Sequence, residues 1–453
     1  MRILLLSPNT LTEPYPVYPI GLDYVAGSIP AGHEVRRVDL NVTPLPELDH
    51  LVTLFNPDLI GVSCRNLDNT EMANPRSFLN EYTNLVRRLR SNTHSNTTII
   101  VGGCGFNIMP HQLLAAIGAD YGLVGEGERF GLLVEALAQQ KNPLTIPGTI
   151  SSTPPDEQTI PSPWQGDQKR RFDKSAYYTK FYLERGGMLN LQSKRGCRFN
   201  CIYCSYPAIE GKKQRLFPPE TVARTALELE QAGARYLFIT DSAFNSDIAH
   251  SLEVARAFRK AGVSIPWGAF FAPIKLPKNY FSILAESGLT HVEFGTESLS
   301  NPVLKSYRKP FTIQDVFLAH ERARAASLHV AHYLLLGGPG ETEKTIHESL
   351  DNTEKLKKTV IFFFIGMRIY PQTHLYDIAF REGLISEDTN LLTPVFYQRS
   401  DIPDYTSIEK MVTTRAGSRI NWLVGSGEDK SADIIARMHQ RGYAGPLWEH
   451  LTR

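Results

Sequence analysis

The stretch Lys194-Arg195-Gly196-Cys197-Arg198-Phe199-Asn200-Cys201-Ile202-Tyr203-Cys204 puts three cysteines on one short loop at C-x-x-x-C-x-x-C spacing. Iron–sulfur clusters are held by cysteine thiolates, normally four, so a four-iron (4Fe-4S) cluster held by Cys197, Cys201 and Cys204 alone keeps one iron open to an outside ligand. A structural zinc site wants four closed ligands, usually two pairs of Cys or His. Only Cys64 and Cys104 remain, both far upstream, and no histidine lies in or just after the loop. Disulfides need an oxidising compartment, which nothing in the sequence suggests. The spacing points to an open-iron cluster, and the open iron is where chemistry begins.

From Met188 onward, strand-like runs at 188–192, 236–240, 265–270, 291–294, 332–336 and 362–369 alternate with helical segments such as 219–232 and 313–326, and the cysteine loop follows the first of these strands. About six β/α units predict a partial barrel, with active groups at the carboxyl ends of its strands. Upstream, short apolar runs at 2–6, 34–40, 59–63, 98–101 and 121–124 also alternate with helical segments, which predicts a Rossmann-like parallel sheet covered on both faces. Ligands of such sheets bind outside the strands' carboxyl ends. Those ends carry Ser7, Asn9, Ser63, Arg65, Asn66, Gly102, Gly103, Gly125 and Glu126. Glycines there either admit a bulky ligand or make tight turns, and no phosphate-binding G-x-x-x-x-G-K-[ST] or G-x-G-x-x-G opens a helix.

The whole is an α/β chain: a sheet domain over 1–150, a linker over 151–185, a barrel over 186–390 and a mostly helical extension over 391–453. The linker is rich in Ser, Thr, Pro, Asp and Gln up to residue 168, and the aromatic run 172–184 is expected to pack on a flanking domain. In the extension, Tyr405, Trp422 and Trp448 either cap the barrel cavity or fill a small helical core. The chain has 453 residues, 42% of them apolar and 21% charged, the balance of a soluble globular protein. A net charge of +1 gives no electrostatic reason to expect nucleic acid. The first residues are too short an apolar run for a signal peptide, and no run approaches the roughly 20 residues of a membrane span. A cytoplasmic location follows as the expectation.

The cysteine loop resembles that of the radical S-adenosylmethionine (SAM) superfamily. The resemblance implies that the fourth iron chelates SAM and that one electron splits its sulfonium to a 5′-deoxyadenosyl radical. Tyr203 matches the family's aromatic beside the adenine. Asp241 and Ser242 stand where the family often has Gly-Gly-Glu against the SAM amino group, with helix capping as their other reading. Gly295-Thr296-Glu297-Ser298 is similar to the segment whose Glu binds the ribose hydroxyls, and Gly337-Gly338-Pro339-Gly340-Glu341 to the adenine-side glycine element. Arg368 could hold the SAM carboxylate, a substrate anion or a structural ion pair; Lys309 and Arg215 are weaker anion candidates.

Pro19-Ile20-Gly21-Leu22, Ala31-Gly32-His33-Glu34-Val35, Val101-Gly102-Gly103 and Gly118 through Glu128 resemble the cobalamin-binding domain that precedes the barrel in one branch of this superfamily, nearest the group called lipid-biosynthesis cobalamin-binding radical SAM proteins. The Asp-x-His-x-x-Gly run that supplies a lower cobalt ligand in other cobalamin proteins is absent, as it is in many relatives. The resemblance implies a 4Fe-4S cluster, SAM and cobalamin as cofactors. It also implies a small-molecule substrate, an electron donor such as flavodoxin or ferredoxin, and methyl transfer to an unactivated carbon of a lipid or natural-product intermediate. Dehydration, rearrangement or ring closure without methyl transfer is the alternative reaction, and a non-catalytic iron–sulfur or cobalamin sensor the alternative class.

Overall fold

The computed structural model describes residues 1–12, 15–152, 161–166, 168–425 and 431–452, so part of the expected linker lies outside the described residues. In the first domain, β1 (Arg2–Ser7), β2 (Glu34–Asp39), β3 (Leu59–Ser63), β4 (Thr98–Gly102) and β5 (Tyr121–Leu123) form a parallel sheet in the order 2-1-3-4-5. A short antiparallel β6 (Thr149–Ile150) closes its edge. Ile3, Leu4, Leu5 and Leu6 are all fully buried because helices cover both faces. Leu4 and Leu6 pack with Val52, Phe55 and Leu85, while Ile3 and Leu5 pack with Leu22, Phe130 and Leu133. Each such side chain contributes roughly 1.5–3 kcal/mol.

The barrel sheet is parallel throughout: β7 (Met188–Leu191), then, after a hairpin of β8 (Lys194–Arg195) and β9 (Arg215–Leu216), β10 (Tyr236–Ile239), β11 (Trp267–Phe271), β12 (Leu289–Glu297), β13 (His329–Leu336) and β14 (Val360–Ile365). A second hairpin pairs β15 (Met367–Arg368) with β16 (Phe396–Tyr397). The extension contains the expected helices, Tyr405–Ala416 and Ser431–Gln440, and adds a seventh barrel strand, β17 (Trp422–Val424), beside β14. Trp422 therefore packs on Phe363 of the barrel, and Trp448 packs on Ala331 and Val360 near the amino ends of β13 and β14. These tryptophans complete the barrel and do not build a separate helical core.

The domains meet along the carboxyl ends of their sheets. Asp68, after β3, pairs with Arg368, after β14, at 2.9 Å, both side chains almost wholly buried. Glu126 and Glu128, after β5, hold Arg195 of the cysteine loop's approach at 3.3 and 2.8 Å. Behind them, Asp23 takes Arg37 at 2.7 Å and the linker's Arg170 at 2.9 Å. Phe172 and Tyr178 pack at a tilt and Tyr182 edge-on against Tyr18, so the aromatic run does pack on the first domain.

Candidate functional site

The cysteine loop hangs from fixed points on either side. Gly196 donates its N–H to Glu210 at 3.0 Å, and Cys197 donates to the Gly211 carbonyl at 3.2 Å. Fully buried Ile202 wedges against Val303 and Tyr307. Among the described residues no three His, Cys, Asp or Glu side chains converge on a single metal ion. Burial pushes the Cys201 thiol up and the Cys204 thiol up to about 12. Thiolates gathered here therefore need a cationic partner, and iron would supply it.

Beside Cys201 three polar side chains converge. Tyr203 donates its hydroxyl to Glu297 Oε1 at 2.7 Å; Lys309 Nζ lies 3.3 Å from both Glu297 Oε1 and the Tyr203 hydroxyl, and 3.5 Å from Cys201 Sγ. Burial draws the Lys309 ammonium down, but Glu297 and Cys201 more than offset it, and its pKa is raised. Two backbone features aim Glu297. The register of β12 against β13 slips between Gly295 and Glu297, and Glu297 itself adopts a left-handed φ of +64°. For a non-glycine residue that conformation costs of order 1–3 kcal/mol, and such strain gathers at functional sites.

Other candidates are consumed by the fold. Asp241 Oδ1 accepts the Ser193 and Lys194 amides at 2.8 and 3.3 Å, and Oδ2 accepts the Ser193 hydroxyl and Lys194 Nζ at 2.5 and 2.8 Å. A carboxylate offers about four lone-pair positions, so none is left for the SAM amino group. Capping is not its role either, because the next long helix, Ile248–Ala261, is capped by Asp247. Ser242 differs, with a buried hydroxyl that has no partner among the described residues. Ser298 is tied to Ser349 at 3.1 Å and to the Ser300 amide at 3.1 Å.

Gly338 is required by protein neighbours, since a Cβ there would fall 2.4 Å from the Tyr307 hydroxyl and 2.6 Å from Met367 Cε. Glu341 Oε2 accepts the Gly337 amide at 2.5 Å and closes this turn, while Oε1 is buried and unpartnered. Burial raises the Glu341 pKa to about 7. Arg368 gives donors to Asp68 and to the carbonyls of Ile369, Leu391 and Val395, the contacts of a structural ion pair. Arg215 is likewise bound to Glu126 at 2.5 Å.

In the first domain the strand order 2-1-3-4-5 reverses between β1 and β3, and such sheets open a ligand crevice at that switch point. Asn9 follows β1; Ser63 ends β3, and Arg65 and Asn66 follow it. The side chains of Asn9, Ser63, Arg65 and Asn66 make no hydrogen bond or ion pair with the described residues, while Ser7 bonds Asp39. Away from the switch point the candidates are covered. Glu126 is held by Arg195, Arg215 and the Trp164 amide, and Gly125 lies under Pro161. Gly103 has a φ of +109° and a Cβ there would sit 2.8 Å from the Cys64 carbonyl; Gly102 backs on Leu123. The open amides, hydroxyl and guanidinium suit a ligand rich in amide groups with a phosphate, and corrin cofactors have both.

Reading the sequence alone missed Glu293, buried in β12 and bonded by the Tyr333 hydroxyl at 2.8 Å and Trp448 Nε1 at 3.1 Å. A lone acid inside the apolar run 291–294 was its signal. Lys309 was underrated because nothing in the sequence places it beside Cys201.

Comparison with known proteins agrees with this geometry. Residues 191–352 match the model of the radical SAM superfamily, and residues 7–132 match that of the B12 binding domain. An uncharacterized methyltransferase of Pyrococcus horikoshii is 25% identical over 409 residues, covering 85% of this chain and 84% of the relative. The tryptophan 2-C-methyltransferase of Streptomyces laurentii is 24% identical over 445 residues, covering 82% and 73%. The radical SAM methyltransferase TsrM of Kitasatospora setae, solved with tryptophan and a SAM analogue, superposes with a TM-score of 0.85 at 20% identity, covering 100% of this chain and 97% of that one; at this identity it speaks to the fold.

Proposed function

On the premise that this chain carries a radical SAM domain and a B12-binding domain, we propose that it is a cobalamin-dependent enzyme that methylates an unactivated carbon of a small lipid or natural-product molecule. The observation that carries this reading is the apposition of the two sheets by their carboxyl ends, locked by the Asp68–Arg368 and Glu128–Arg195 pairs. A corrin over β1 and β3 would then face the barrel mouth that holds the cysteine loop.

When bound, the 4Fe-4S cluster and SAM supply one-electron cleavage of the sulfonium, and cobalamin supplies a methyl carrier. Cys197, Cys201 and Cys204 would hold the iron. Glu297 would accept the ribose hydroxyls, with Tyr203 and Lys309 fixing its carboxylate, and Ser242 would take a polar group of SAM. Asn9, Ser63, Arg65 and Asn66 would hold the corrin periphery. The buried ion pairs Glu128–Arg195 and Asp68–Arg368 would hold the two sheet ends, and with them the reacting groups, in line. The electron comes from an external carrier of the flavodoxin or ferredoxin kind.

The test is an absorbance spectrum of anaerobically reconstituted protein after incubation with cobalamin and desalting. Retained corrin bands beside the iron–sulfur absorption are expected. A cluster without corrin would refute the methyl-transfer reading and favour rearrangement or elimination.

A further inference from the structure

The strands of the barrel sheet turn alternate side chains to opposite faces. Leu237, Ile239, Ala269, Phe271, Val292 and Phe294 pack outward in one core with the covering helices, so Phe238, Phe270 and Glu293 point inward. By the same alternation Tyr333, Phe362 and Phe364 point inward between Leu334, Ile361, Phe363 and Ile365 of a second outer core. This inner face is graded along its height. At the amino ends Met188, Tyr236, Ala331 and Val360 are all buried, the last two against Trp448. Further along, Phe270 is 39% exposed although its strand lies inside the sheet, and Tyr333, Phe362 and Phe364 are half-buried. The sheet therefore opens into a hollow toward its carboxyl ends, where the cysteine loop and Glu297 stand.

The wall of this hollow is built of rings. Phe238 meets Phe270 edge-on at 5.0 Å, Tyr333 stacks on Phe362 at 4.9 Å with 11° between their planes, and Phe364 stacks on Tyr333 at 6.1 Å. An exposed ring in such a wall favours an aromatic guest, because ring pairs gain more than the apolar area they bury. The acid on this face, Glu293, is 1% exposed beneath the Tyr333 hydroxyl and the Trp448 indole, so it repels an anion and lies too deep to touch a cation.

One polar group is open. Asn190 stands between outward-facing Leu189 and Leu191 and so points inward, beside its register partner Phe238. Its backbone carbonyl accepts from Arg170 at 2.7 Å, but its side-chain amide has no hydrogen bond with the described residues, although Asn190 is only 7% exposed. Burying an amide without a partner is unfavourable. A ligand group that both donates and accepts would satisfy it.

We propose that this hollow is the substrate pocket, that Asn190 and Phe270 set its specificity, and that the substrate is an uncharged aromatic molecule carrying an amide or hydroxyl group. That the guest is the substrate rests on the reaction proposed above; the binding itself does not.

The experiment measures binding to the reconstituted holoenzyme by titration calorimetry with three compounds of similar size. 2-Quinolone has the ring and the amide, its fully saturated counterpart has only the amide, and 2-naphthoate has the ring with a negative charge. We expect 2-quinolone to bind at least tenfold more tightly than either of the others. Phe270→Ala and Asn190→Ala should each weaken 2-quinolone binding about fivefold. Asn190→Ala should keep or raise the melting temperature, where loss of a structural asparagine would lower it. If Asn190→Ala does not fold, Phe270→Ala decides, since an exposed ring can be removed without opening a core. Equal binding of the three compounds, no binding of 2-quinolone, or unchanged affinity in Phe270→Ala overturns the proposal. Corrin bands are read on the same samples. Selective binding by protein without corrin refutes methyl transfer and still supports the pocket, whereas retained corrin with unselective binding overturns the pocket and leaves methyl transfer standing.

Discussion

The two facing sheet ends spend their polar residues differently. On the barrel side, Asp241, Ser298 and Arg368 have their hydrogen-bonding capacity filled by the protein, whereas Ser242 and one oxygen of Glu341 do not. On the first sheet, Glu126 is filled, while Asn9, Ser63, Arg65 and Asn66 at the switch point are open. A polar side chain with no remaining lone pair or proton is part of the scaffold, whatever motif it matches. One left open at a strand end is available to a ligand, because burying it without a partner costs about 1–3 kcal/mol.

Substitutions can break or sharpen this contrast. The largest effect belongs to Cys201→Ala, which should abolish both deoxyadenosine formation and the cluster absorbance; retained activity would defeat the assignment. Next comes Arg368→Ala, which strands buried Asp68 and should cost about 3–5 kcal/mol in urea unfolding. Lost SAM affinity at unchanged stability would return Arg368 to the ligand site.

Acid should weaken the barrel through a buried histidine pair. His332 lies 2.8 Å from Thr296 Oγ1 and 3.0 Å from His320. Burial lowers His320 from 6.5 to about 4. Folding therefore favours the neutral ring: the contribution is complete above pH 6.5 and is lost as pH falls toward 4, about 3 kcal/mol in all. A His320→Gln variant whose melting temperature falls as steeply as wild type over that window would refute this.

Glu297→Ala should weaken SAM binding about tenfold or more, the worth of a charged hydrogen bond, and also lower the melting temperature, because it leaves buried Lys309 unpaired; Ser298→Ala should lower the melting temperature and spare SAM binding. Smallest is Arg65→Ala, with corrin retention reduced roughly fivefold for about 1 kcal/mol. Glu126→Gln should spare corrin binding, and equal loss in both variants would erase the distinction drawn between switch point and scaffold.

Much of the fold could be read directly. The six expected barrel strands and the five parallel strands of the first sheet announce themselves as short apolar runs between amphipathic helices. β17 escaped because its three residues lie in the extension over 391–453, which reads as mostly helical. In the site, the cysteine loop and the Glu297 segment were legible as local motifs, but Lys309 and Glu293 were not, since their neighbours come from distant strands and helices.

The sequence by itself determined the strand and helix alternation and the three-thiol loop, because both depend on residue spacing within a few turns of chain. Only the tertiary structure decided which polar residues are free. Asp68 and Arg368 stand 300 positions apart and meet at 2.9 Å, so whether either can serve a ligand is settled by a partner that no local pattern reveals.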